Sequence, residues 1–166
     1  MLNLKFKRLT PTMTIPTKAH PTDACFDLYA DLGPVYKKAL EQDSQSTENI
    51  DLTEVGLEIP PHSTKLIDTG FATNIPHGYW AAIFARSGLA TKNGLRPAQG
   101  VPVIDEPYTG EWKIPLHNDT HLTQVIKHGD RIAQFTLLPY FSTVLEEVDE
   151  LEQTDRGEGG FGSSGK

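Results

Sequence analysis

Arg86-Ser87-Gly88 brings together a guanidinium fork, a hydroxyl and a residue with no side chain over its backbone. Such a trio binds phosphate oxygens when it follows a strand, or starts a helix with Ser87 as the cap. Val103-Ile104-Asp105-Glu106-Pro107-Tyr108-Thr109-Gly110 runs from an apolar stretch into a turn. Asp105 either caps that turn or, fixed at a strand end, acts as a general base. Tyr108 either packs or closes a pocket. In Gly129-Asp130-Arg131-Ile132-Ala133-Gln134, Asp130 and Arg131 form a local pair under the plainer reading. Gln134 then satisfies backbone groups; otherwise it points into an anion site. Ala24-Cys25-Phe26-Asp27-Leu28-Tyr29-Ala30 alternates around Asp27. A carboxylate buried in an apolar strand must find a hydrogen-bond or charge partner.

The last segment is Arg156-Gly157-Glu158-Gly159-Gly160-Phe161-Gly162-Ser163-Ser164-Gly165-Lys166. It has too little apolar side chain to hold itself folded. Yet it carries a cation, an aromatic face, hydroxyls and open backbone N–H groups. It suits a segment that orders over a nucleotide, with Arg156 on phosphate and Phe161 on a base, or else an inert glycine-serine end. Gly157 to Gly162 also fits G-x-G-x-x-G, which signals dinucleotide binding only between a strand and a helix. Four residues follow Gly162, so no helix is expected there. No lysine-bearing strand or catalytic loop follows to make it a kinase loop.

Other chemistries find no motif. The six histidines lack metal-ligand spacing. There is no Gly-x-Ser-x-Gly elbow and no P-loop, and no base lies beside Ser87 in sequence.

These groups must be held by short strands. Period-two or apolar runs predict strands at 2–7, 55–59, 64–71, 79–84, 101–104, 111–117, 123–126, 131–138 and 143–148. Pro, Gly, Asn and Asp punctuate them, as in a sandwich or barrel, and the 12 prolines oppose long helices. The polar stretch 34–49 reads as a surface insertion, with a turn or two of helix over Tyr36-Lys37-Lys38-Ala39-Leu40-Glu41-Gln42. It is a tolerated loop or a contact surface for a protein partner.

At 166 residues the chain suits one domain with a real core. Its net charge of −7 disfavours non-specific binding to nucleic acid, so an anionic ligand must be met by local cations or a metal ion. Cys25 is the single cysteine, which excludes an internal disulfide and fits a reducing, cytoplasmic setting. No apolar run reaches membrane-spanning length, and the first residues lack a secretory apolar core.

Taken in order, these segments resemble the homotrimeric dUTP pyrophosphatase (dUTPase) family. Its five motifs have counterparts around Asp27, Arg86-Ser87-Gly88, Asp105 with Tyr108, Gln134, and the Arg156 to Ser163 tail. The resemblance implies an all-β, jelly-roll-like subunit over 1–151, with a flexible C-terminal arm at 152–166. It implies a homotrimer whose active sites take residues from all three chains. The implied reaction turns dUTP into dUMP and pyrophosphate, which keeps uracil out of DNA and supplies dUMP for dTMP synthesis. Asp105 would activate the attacking water and Tyr108 would pack under the deoxyribose. Arg86, Ser87, Gly88, Gln134, Arg156 and Ser163 would hold the phosphates. Phe161 would cover the uracil, with Gly162 beside it in the substrate site, and the polar edge of the base would meet the stretch from Gln99 to Ile104, Val103 included. Mg²⁺ would be carried by phosphates and waters, leaving Asp27 an outer-shell partner at most. The chain departs from the bacterial pattern at Cys25, Gln99, Pro102, Pro107 and Ser164. Pro102 has no N–H to offer the base. The fold-related dCTP deaminase is a rival reading, and so is a nucleotide-gated protein-binding regulator that uses 34–49.

Overall fold

The computed structural model describes residues 2–42, 51–52 and 56–160. Its strands are β1 (Lys5–Arg8), β2 (Phe26–Tyr29), β3 (Gly56–Ile59), β4 (Thr64–Ile67), β5 (Phe71–Asn74) and β6 (Tyr79–Phe84). They continue with β7 (Leu95–Pro97), β8 (Val103–Ile104), β9 (Ile114–Asn118), β10 (Gln124–Lys127) and β11 (Arg131–Pro139). Two helices interrupt them, α1 (Gly33–Gln42) and α2 (Ser87–Asn93). The strands form one four-stranded sheet (β2-β11-β6-β8), one three-stranded sheet (β4-β9-β7) and two pairs (β1-β5, β3-β10). Every pairing is antiparallel, giving the sandwich-like all-β architecture expected.

Alternation explains which faces meet. Ile114 and Leu116 of β9 turn inward and are fully buried, as are Ile83 of β6 and Ile132 of β11. Trp112 lies at the centre. Its ring meets Phe71 and Phe135 edge-on, at centroid distances of 5.1 Å and 4.9 Å. The longest strand, β11, pairs with β6 on one side and β2 on the other. Its register against β2 shifts between Arg131 and Ala133, a bulge that re-aims neighbouring side chains.

Several expected strands are trimmed or lost, each for a local reason. The run 64–71 divides into β4 and the start of β5. Gly70 adopts φ +64°, and a Cβ there would lie 2.7 Å from Thr10 Oγ1 and 2.8 Å from Asp31 Oδ2. Thr69 and Gly70 give their N–H groups to the Glu111 carboxylate instead of a ladder. The run 101–104 shrinks to β8, because Pro102 takes part only through its carbonyl, which accepts from Ile83 N at 3.0 Å. Glu111 makes one isolated bridge to Ala72, so β9 starts at Ile114 rather than at 111. The run 143–148 is not a strand. Its apolar residues find no ladder among the described residues, and Val144 and Leu145 are almost fully exposed.

The insertion begins with α1, where Val35, Lys37 and Lys38 are exposed, and residues 43–50 lie outside the described residues. Asp31 anchors its entry by accepting from Gly33 N and from Thr12 Oγ1. Among the described residues no helix is long and apolar enough to cross a membrane.

Asn118 closes β9 and joins three loops. Its Nδ2 donates to the carbonyls of Ile59, Pro60 and Leu122, and its Oδ1 accepts from Thr120 N. It is fully buried, so deletion of the amide strands several polar groups. Asn118→Ala is expected to lower unfolding free energy by about 3 kcal/mol, read from urea titration. A loss below about 1 kcal/mol would show that water replaces the amide.

Candidate active site

Asp27 sits at the middle of β2 and is 8% exposed. Its two oxygens are met from two other parts of the chain. Arg86 donates Nε to Oδ1 at 2.7 Å, and Arg131 donates Nη1 to Oδ2 at 3.3 Å. Arg86 is placed by β6, which ends two residues before it, and Arg131 by the first residue of the bulged β11. The buried carboxylate thus fixes the direction of two guanidinium groups. Asp130 turns away from Arg131. Its carboxylate accepts from Lys127 N at 2.8 Å and closes the β10–β11 turn, so the local Asp130–Arg131 pair is not formed.

Ser87 does not cap α2. The cap position belongs to Arg86, with φ −86° and ψ 129° and no side-chain capping bond. Ser87 is the first helical residue, and its carbonyl accepts from Thr91 Oγ1. Nothing lies within 4 Å of where a Gly88 Cβ would be, so the chain is open on that side.

Gln134 stands between the two neighbouring strands, opposite Asp27 and Phe84. Its amide nitrogen donates to Ala85 O at 2.9 Å, which fulfils the backbone-satisfying reading. It also lines a cavity of about 330 Å³ with Asp23, Cys25, Asp27 and Arg86. The segments around residues 27, 86 and 134 therefore meet within one chain.

Asp105 lies elsewhere. It is exposed just past β8, and its carbonyl accepts from Tyr108 N at 3.0 Å. That bond closes the turn through backbone and leaves the carboxylate without a partner among the described residues. Tyr108 Oη donates to Glu111 O at 2.9 Å. The phenol lies so close over Gly110 that a Cβ there would be 2.6 Å from its oxygen. Asp105, Tyr108, Val103, Glu111 and Lys113 share a second cavity of about 320 Å³. Lys113 is held by Asp68 at 2.8 Å and Glu111 at 3.2 Å, and the Asp68 hydrogen bond raises its pKa. No described residue lines both this cavity and the one around Gln134. Gln99 is exposed on the stretch before Val103, and its carbonyl accepts from Val101 N.

Arg156 is exposed, donates Nε to Gly159 O within its own turn, and lines neither cavity. Phe161, Gly162 and Ser163 lie outside the described residues. Among the described residues no cluster of three metal-ligating groups occurs. Both Asp27 oxygens already face guanidinium groups, so neither is free to ligate a metal ion directly.

One residue escaped sequence reasoning. Glu106 accepts from His77 Nδ1 at 2.9 Å, Gly78 N at 2.8 Å and Tyr140 Oη at 2.7 Å. In the sequence it is only an acid after Asp105, because its partners are remote. The hydrogen bond from His77, then those from Tyr140 and Gly78, lower its pKa from 4.5 to about 2. A carboxylate whose folded pKa is depressed stabilises the fold above its unfolded pKa and loses that stability as pH falls through the folded value. The Glu106 contribution is thus complete above about pH 4.5 and fades toward pH 2. The gap in thermal midpoint between the wild type and Glu106→Gln should narrow as pH falls from 6 to 3. A gap that widens on acidification would contradict the assignment.

Residues 51–165 match the family model for dUTPase. A deoxyuridine 5′-triphosphate nucleotidohydrolase of Rhodococcus erythropolis is 38% identical over 99% of this chain and 87% of its own length. The Staphylococcus bacteriophage 80alpha dUTPase, solved with dUpNHpp, superposes with a TM-score of 0.75 and 25% identity over the whole of both chains. A point mutant of the dUTPase from phage phi11 of S. aureus, whose structure reveals the coordination of a structural Mg(II) ion, has the same fold. Its TM-score is 0.71 at 21% identity, over 92% of this chain and all of its own. The family model spans Arg86, Asp105 and Gln134, and the Rhodococcus match runs over nearly the whole chain, so the chain belongs to the dUTPase family.

Proposed function

We propose that this chain hydrolyses dUTP to dUMP and pyrophosphate, at sites shared between three copies of itself. The observation that carries the reading is the Asp105 turn, which leads from β8 in one sheet toward β9 in another, in a chain of this family. It joins an unpartnered carboxylate, fixed by its own backbone, to a tyrosine ring seated three residues further on. A ring held there packs under a deoxyribose and leaves no room for a 2′-hydroxyl. The carboxylate then lies near the phosphorus next to the sugar. Asp105 accepts a proton from a water and directs it at the α-phosphorus, in line with the departing pyrophosphate.

Arg86, Ser87, Gly88 and Gln134 form the phosphate clamp, with Arg86 directed by Asp27. Arg156 and Ser163 add to the clamp from the arm, and Phe161 with Gly162 covers the uracil. The stretch from Gln99 to Val103 meets the polar edge of the base. Pro102 contributes only a carbonyl, which Ile83 already uses, so donation to the base falls to its neighbours. Mg²⁺ on the triphosphate would neutralise charge, with Asp27 reaching it through water. Separation of the Arg86 and Asp105 cavities within one chain supports assembly of each site from different copies. The names of the related proteins support the pyrophosphatase over the deaminase.

With Mg²⁺ present, dUTP should release pyrophosphate at least 100-fold faster than dCTP, dTTP or UTP, measured as kcat/KM across that panel. Ammonia from dCTP would overturn the reading. Asp105→Asn should keep its affinity for dUpNHpp and lose about 10²–10⁴-fold in kcat. Near-wild-type turnover in that variant would remove Asp105 as the base.

A further inference from the structure

We propose that Glu106 is a positioning residue that sets the direction in which the C-terminal arm leaves the folded body. The inference rests on the function proposed above. It starts from strand order. β8 is the edge of the sheet β2-β11-β6-β8, so β6 separates it from β11. Immediately past β8, the Glu106 carboxylate reaches across the start of β6 and binds the turn there, through Gly78 N and His77 Nδ1. The same carboxylate then accepts from Tyr140 Oη, just beyond the end of β11.

Tyr140 is where the chain leaves the sheet. Its own N–H donates to Gly78 O at 3.0 Å, so its backbone and side chain are both tied to one turn. Beyond it, over the described residues 141–160, the hydrogen bonds are internal to the segment, such as Thr143 to Phe141 and Arg156 to Gly159. Tyr140 is therefore the last described residue hydrogen-bonded to the body, and Glu106 holds it. Glu106 is also joined by one peptide bond to Asp105. A shift of this carboxylate changes the exit angle of the arm. Three donors on one carboxylate make the joint stiff, since each bond is charge-assisted.

The test is a double-mutant cycle on the full-length protein, read as pyrophosphate release from dUTP. Tyr140→Phe deletes one hydroxyl and leaves the ring. It should lower kcat/KM roughly tenfold, the loss expected from one hydrogen bond to a charged group. In an Arg156→Ala background, where the arm has already lost its phosphate contact, the same substitution should cost less than about twofold. Glu106→Gln should show the same non-additivity, with Tyr140→Phe as the milder change if that variant folds poorly. Equal fold-losses in both backgrounds would overturn the coupling, as would a Tyr140→Phe enzyme indistinguishable from the wild type. Absence of dUTP turnover in the wild type would instead overturn the underlying function, and the inference with it.

Discussion

A carboxylate buried in the middle of a strand is costly unless cations meet it. Asp27 is that carboxylate, and the way it is met organises the chain. Arg86 comes from 59 residues away and Arg131 from 104 residues away. Both must reach the same point, which requires β6 and β11 to lie in the sheet with β2. The bulge in β11 and the early end of β6 serve that requirement. Loss of either arginine would leave part of a buried charge uncompensated, and the proposed phosphate clamp would lose its orientation with it.

The second centre is built on different physics. The Asp105 turn is held by Tyr108 N on Asp105 O, by Tyr108 over Gly110, and by the neighbouring Glu106 carboxylate on His77, Gly78 and Tyr140. The Asp105 carboxylate stays open, which suits a base that must meet water. The two centres face separate cavities on one chain. In the proposed enzyme neither is complete alone. The clamp comes from one copy, the Asp105 turn from another, and the arm that starts at Tyr140 closes over them from the third.

What could be read in the sequence follows the range of each force. β6 was legible to the residue, because its apolar run is bounded by a glycine turn and by Arg86. That Asp27 needs a partner was also legible, since burial cost is local. Which arginines supply it was not, because pairing across the sheet leaves no trace in local spacing. The break at Thr69-Gly70 was missed for the same reason, since its cause is the distant Glu111. The run 143–148 has the apolar character of a strand but no neighbour to pair with among the described residues. Glu106 gave no signal, since its partners come from other strand ends.

The central claim is that Asp105, held beside Tyr108, directs water to the phosphorus nearest the sugar. Hydrolysis of dUTP in water labelled with heavy oxygen tests it most directly. Attack at the α-phosphorus places the label in dUMP and leaves pyrophosphate unlabelled. Label in pyrophosphate, with unlabelled dUMP, would mean attack at the β-phosphorus and would contradict the account.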